Sequence, residues 1–351
     1  MYPRIVVNTE KFKENLKFMI NECHKRGVSV MGVSKVFCGD ENLVQMMEDE
    51  GVDFIADSRI SNLAKTDTYV PKVLLRLPMI SEAEDVVMYS HISLNSELET
   101  IKELNNKAKN LDTVHNIILM IDLGDLREGI FEENEILSTV EEILKLKNIK
   151  LYGIGTNLTC YGGVIPSKET LDKLINYKNK IENKFKITLD IITGGNSSNI
   201  PLMMENEMPK GINNLRLGEI LVLGRETAFG NFLDSMHDDV FTLYAEVIEV
   251  KIKPSVPVGD IGMNAFGKVP SFNDKGDIVR AILAIGQQDV DYRELVSEEG
   301  IDLIGSSSDH IIADVTKYEG KIKVGNVIKF KLTYASILSL FTSQYVGIYY
   351  E

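Results

Sequence analysis

Apolar residues along the first two thirds of the chain fall into short unbroken runs, and between the runs they recur every three or four positions. The runs VSVMGVSK (28–35), DFIADS (53–58), VLLRL (73–77), HISLN (91–95), NIILMIDL (116–123), KLYGIGTN (150–157), LDIITGGN (189–196) and NLRLGEILVLG (214–224) have the composition of strands buried on both faces. The segments TEKFKENLKFMINECHKRG, SELETIKELNNKAKN (96–110), NEILSTVEEILKLKN (134–148) and SKETLDKLINYKNKIENKF (167–185) show the spacing of amphipathic helices. Eight strands, each followed by room for a crossover helix, predict an α/β chain folded as a (β/α)8 TIM barrel over residues 10–228. An open doubly wound sheet competes, but such sheets usually begin with a GxGxxG turn, and the first run here ends in SKVFCG.

After about residue 230 the pattern changes to alternation, β-branched residues and glycine turns, with no convincing helix. Residues 229–351, joined by the opening strand within 1–9, are therefore expected to form an all-β C-terminal domain.

Composition narrows the function. The 351 residues carry a net charge of −14, which argues against a nucleic-acid partner because phosphate binding needs a basic surface. No run of 18 apolar residues is present, so no membrane span is expected. Cys23, Cys38 and Cys160 are too scattered for a disulfide framework, and the five histidines lack metal-site spacing. A reduced, cytoplasmic protein without a metal is expected.

The chemistry gathers at strand ends, where barrel enzymes keep their sites. Lys35 closes the first run, an ammonium at the edge of a core where burial is costly. TGGNSSNI (193–200) and RLGEI (216–220) are glycine turns on the last two barrel strands, suited to bringing backbone amides up to a phosphate. In a closed barrel those strands neighbour the first. A single ligand uses all three features: pyridoxal 5'-phosphate, its aldehyde on the lysine amine and its phosphate in the cup. Desolvation would lower the lysine pKa and favour that link.

With these motifs the chain resembles the barrel-type (fold type III) pyridoxal-phosphate amino-acid racemases, the alanine racemase family, over nearly its whole length. It looks most like the ornithine racemase branch, through GVSKVFCGD, GTNLTCYGG, TGGNSSN and RLGEILVLGRE. The resemblance implies that Lys35 holds the cofactor and exchanges a proton at Cα. It carries the substrate-carboxylate arginine to Arg127, in IDLGDLREGI. It gives cofactor roles to Asn196, Ser197 and Ser198 in the phosphate turn, to Arg216 beside the pyridine nitrogen, and to Gly218 and Glu219 as backbone donors. Ser308 and Asp309, in SSDHIIADVT, fall where the family lines the substrate entrance from the partner subunit, which implies a homodimer with shared sites.

Two positions depart from the family. Its second acid/base is a tyrosine, and AIGQQDVD (284–291) puts Gln287 there, with Asp289 at the motif's aspartate. Glutamine is no general base, so Asp289, Tyr292 or His310 would have to substitute. The family's ring-stacking histidine falls on Asn157. The implied activity is an isomerase's: interconversion of L- and D-ornithine, a basic substrate consistent with Asp125, Glu128, Glu219, Asp289 and Asp309. The alternatives are an alanine or broad-specificity lysine/ornithine racemase, a basic amino-acid decarboxylase, and a non-catalytic carrier of the cofactor.

Overall fold

After an opening strand β1 (Arg4–Val7), the eight apolar runs become β2 (Ser29–Val33), β3 (Phe54–Asp57), β4 (Lys72–Leu74), β5 (Ile92–Asn95), β6 (His115–Met120), β7 (Ile149–Gly155), β8 (Ile191–Thr193) and β9 (Asn214–Leu217). The structure is a computed structural model, and it describes residues 1–264 and 266–351. Strands β2 to β9 pair in parallel and in order, and β9 returns to β2 with Arg216 opposite Met31. The barrel closes.

Met31, Val33, Ala56, Val73, Leu94, Ile118, Met120 and Ile191 pack together as one buried cluster. Burying each of the larger of these side chains contributes roughly 1.5–3 kcal/mol. Helices between the strands follow the predicted stretches closely, at Leu98–Asn110, Glu133–Ile143 and Lys168–Phe185. Ser167 caps the last of these by accepting from the Thr170 amide at 3.1 Å.

The run 214–224 is only half strand. It stops at Leu217, and Glu219–Leu223 turns as a helix ended by left-handed Gly224. A short apolar run fits either state, and here Gly218 breaks it in two.

By its contacts the chain divides into Phe12–Asp238, the barrel unit, and a second unit of Met1–Lys11 with Asp239–Glu351. In the second unit β10 (Phe241–Pro254), β11 (Asp277–Leu283), β12 (Leu295–Val296), β13 (Asp302–Ser306), β14 (Ile311–Asp314) and β15 (Val327–Leu332) form a sheet ordered β12-β15-β10-β11-β14-β13. Strand β1 pairs antiparallel with β10 and parallel with β16 (Gly347–Tyr350). One helix, Tyr334–Thr342, interrupts this β unit where the sequence suggested none. A reciprocal cap starts it: the Thr333 amide donates to Ser336 Oγ at 2.8 Å, and the Ser336 amide to Thr333 Oγ1 at 3.3 Å. Among the described residues no helix is long and apolar enough to cross a membrane.

Candidate active site

Lys35 leaves the barrel directly after β2, as the first residue of a short 3-10 turn (Lys35–Phe37) that ends in left-handed Cys38. The turn holds the amine half-buried at the C-terminal end of the strands. Burial lowers its pKa; nearby Cys160 opposes that shift, Arg127 adds to it, and Asp57 and Glu219 oppose it. An amine with a depressed pKa offers a larger share of its nucleophilic, neutral form.

Arg216, on β9, is buried, and its hydrogen bonds run to neutral groups. It donates to Thr193 Oγ1 at 2.6 Å, to the Thr156 carbonyl at 2.7 Å and to Asn157 Oδ1 at 3.2 Å. Desolvation pulls its pKa down to about 10. A guanidinium hydrogen-bonded to neutral groups among the described residues leaves a positive field at the barrel mouth.

The glycine turn after β8 folds onto itself first. Asn196 Oδ1 accepts from the Ser198 amide at 2.8 Å, while its Nδ2 reaches Asn157 Oδ1 at 3.0 Å and Cys160 Sγ at 3.5 Å. Gly195 is required here: its φ is +139, and a Cβ would lie 2.3 Å from Asn199 Nδ2. Ser197 Oγ accepts from the Ile220 amide at 3.3 Å, tying the turn to the start of the Glu219–Leu223 helix. Three buried polar atoms nearby, Thr156 Oγ1, Asn157 Nδ2 and Ser198 Oγ, have no partner among the described residues. Buried hydrogen-bonding capacity left open is costly, and it marks where a polar ligand fits.

The barrel unit therefore gathers Lys35, Arg127, Asn157, Asn196, Ser197, Ser198, Arg216, Gly218 and Glu219 at its strand ends. Arg127 is ion-paired with Glu128, and Glu219 with Arg225. Gln287, Asp289, Ser308 and Asp309 lie together in the second unit, where the Gln288 amide donates to the Ser308 carbonyl at 2.9 Å. Gln287 Oε1 accepts from Ser306 Oγ at 3.1 Å, and Asp289 Oδ1 from Ser343 Oγ at 2.6 Å. Asp309 Oδ1 lies 2.9 Å from His310 Nδ1. A cavity of about 430 Å³ runs along Gln287, Asp289, Asp291 and Glu294. Among the described residues no group of three or more metal-ligating side chains occurs.

The sequence reading passed over Asp57, at the end of β3. It is fully buried and accepts from Ser34 Oγ at 2.7 Å, the Arg59 amide at 2.8 Å and Asn62 Nδ2 at 3.1 Å. Burial raises its pKa against those donors. It braces the residue before Lys35. An aspartate closing an apolar run was the available signal, the same one that drew attention to Lys35.

Residues 7–226 match the family described as alanine racemase, N-terminal domain. The chain is 47% identical to an ornithine racemase of Acetoanaerobium sticklandii over 348 residues, covering 99% of both chains. It is 39% identical to a lysine racemase of Thermotoga maritima, covering 100% of this chain and 99% of the relative. An alanine racemase from Bartonella henselae, solved with covalently bound pyridoxal phosphate, has the same fold at a TM-score of 0.75 and 14% identity, with both chains covered in full. Barrel, appended β unit and whole-length sequence likeness agree: the chain belongs to the alanine racemase family of amino-acid racemases.

Proposed function

We propose that this racemase uses pyridoxal 5'-phosphate at the barrel mouth and that its substrate is ornithine. The observation that carries the cofactor assignment is the pairing of an amine of lowered pKa at Lys35 with a buried guanidinium, Arg216, among open polar atoms. The whole-length relative named ornithine racemase supports that amino acid over lysine or alanine.

The residues fit the cofactor's demands. Lys35 would hold it covalently. Ser197, Ser198 and the amides at Gly218 and Glu219 would hold the phosphate, with Ser198 Oγ supplying an open hydrogen-bonding group. Arg216 would face the pyridine nitrogen, and Asn157 Nδ2 would sit against the ring system. Bound there, the cofactor supplies an electron sink that acidifies the substrate's Cα hydrogen. Arg216, charged at neutral pH, opposes protonation of the ring nitrogen and so keeps that sink weak, which suits removal and return of one proton.

Arg127 would hold the substrate carboxylate, and Lys35 would move the proton on one face of Cα. The other face needs a second carrier, which we assign to the Gln287–Asp289 segment of a second copy in a homodimer, beside Ser308 and Asp309. The free cysteines Cys23, Cys38 and Cys160 suit the reducing cytoplasm.

The test is incubation of the cofactor-loaded protein with L-ornithine, L-lysine or L-alanine in D₂O, following optical rotation and Cα deuterium together. Both change on this reading, fastest with ornithine. Release of CO₂ without inversion, or cofactor binding with no exchange into any amino acid, overturns it.

A further inference from the structure

The loop after β7 has no regular structure, and Thr159 and Gly163 hold left-handed backbone at φ +59 and +69. Surface loops of this kind usually leave their amides to water. Here four amides converge on one carboxylate. Asp125 Oδ1 accepts from Thr159 at 3.0 Å and Val164 at 3.1 Å, and Oδ2 accepts from Cys160 at 3.2 Å and Tyr161 at 2.9 Å.

Asp125 itself is fully buried in the loop after β6. Burial pushes its pKa up, but the amides of Tyr161, Val164, Cys160 and Gly162 outweigh that and hold it below the ordinary value. The two loops touch closely, since a Cβ on Gly162 would lie 2.7 Å from the Asp125 carbonyl oxygen. Asp122 stiffens the near side: its Oδ1 accepts from the Gly124 amide at 2.8 Å and the Leu126 amide at 3.2 Å. The carboxylate is thus compensated by backbone dipoles, as a bound anion is in an amide nest.

Each loop carries a group assigned above to the reaction. Arg127 lies two residues past Asp125. Asn157 and Cys160 lie on the other loop, and Asn196 touches both. We propose that Asp125 is a positioning residue, fixing the loop of Arg127 in register with the loop of Asn157 and Cys160; this rests on the racemase reading of the site. Its oxygens are taken up by amides, so it acts through the loops and touches no reactant. The same commitment removes Asp125 as an anchor for a basic side chain.

The test is Asp125→Asn, which keeps the shape, removes the charge and turns one oxygen into a donor facing amides. Hydrogen exchange of the amides at 159, 160, 161 and 164 is expected to rise by roughly tenfold or more. The visible band of the bound cofactor persists, and kcat/KM for L-ornithine falls on the order of 10²-fold, mostly in KM. Glu182→Gln is the control: it removes the charge of a carboxylate that accepts from the Leu189 amide (3.0 Å) before the start of β8, away from the C-terminal strand ends. Unchanged exchange at 159–164 overturns the clamp. Faster exchange with wild-type KM overturns its role in the reaction, as does an equal KM rise in Glu182→Gln. A wild-type protein that exchanges no Cα hydrogen instead sinks the racemase reading, and the positioning role with it.

Discussion

Replacing Arg216 with glutamine separates what this side chain does for the fold from what it does for the site. Arg216 is only 5% exposed, and its guanidinium bonds to Thr193 Oγ1, the Thr156 carbonyl and Asn157 Oδ1. Desolvation lowers its pKa from the ordinary arginine value to about 10. At pH 7 the arginine is protonated in the folded and unfolded chain alike, so the folded state carries that whole difference, roughly 3 kcal/mol. Arg216→Gln relieves it. Against the relief stand three hydrogen bonds from a charged donor, each worth about 1.5–3 kcal/mol, of which a glutamine amide keeps one or two in weaker form. The open Asn157 Nδ2 can also donate to the new carbonyl oxygen. The two sides offset to within about 2 kcal/mol, so Tm moves by less than about 8 °C. Activity has no such cancellation. The positive charge proposed to face the pyridine nitrogen is lost, and kcat/KM falls on the order of 10²-fold or more. Thermal melts of the free protein and polarimetry of the loaded enzyme read the two effects separately. A collapse in Tm with unchanged racemisation per folded molecule would refute the reasoning and make Arg216 a strut of the barrel.

Three further outcomes follow from the same geometry. Lys35→Met abolishes the visible band of bound cofactor and all Cα exchange. The lowered pKa of Lys35 means its burial costs stability in full below the folded pKa, a cost relieved only as pH rises from there to the ordinary lysine value, so the variant melts at or above the wild type at pH 7. Ser198→Ala removes a buried hydroxyl without a partner among the described residues; the cofactor-free protein gains about 1 kcal/mol while cofactor dissociation, followed by dialysis and absorbance, quickens. Asp125, with its folded pKa lowered, contributes stability that is full above the ordinary carboxylate value, near 3.9, and is lost as pH falls through the folded value. Protection of the 159–164 amides, taken relative to their intrinsic exchange rates, therefore falls below about pH 4 in the wild type and shows no such fall in Asp125→Asn.

What the sequence made legible was whatever a residue's own chemistry and neighbours along the chain dictate. Strands buried on both faces read as unbroken apolar runs, and an ammonium closing such a run stands out, so Lys35 draws notice by position, whereas Arg216 takes its expected role from the family resemblance of RLGEI. Two elements were lost for a local reason. GEILVLG and YASILSLFT are apolar nearly all round, so neither shows a helical stripe; the break at Gly218 and the cap at Thr333 decide them. The charges are hard to read from sequence for a deeper reason. Asp125, Glu128, Glu219, Asp289 and Asp309 were read as a negative surround for a basic substrate, yet a carboxylate attracts a ligand only with the capacity its partners leave over. Asp125 gives both oxygens to loop amides, Glu128 pairs with Arg127, Glu219 with Arg225, Asp289 accepts from Ser343 and Asp309 meets His310. Those partners are distant in the chain or set by side-chain direction, and no count of acidic residues contains them. The preference for ornithine therefore rests on the relative that shares 47% of the sequence, and the acidic residues at the strand ends are better read as the scaffold that aims Arg127 and the loops beside Lys35.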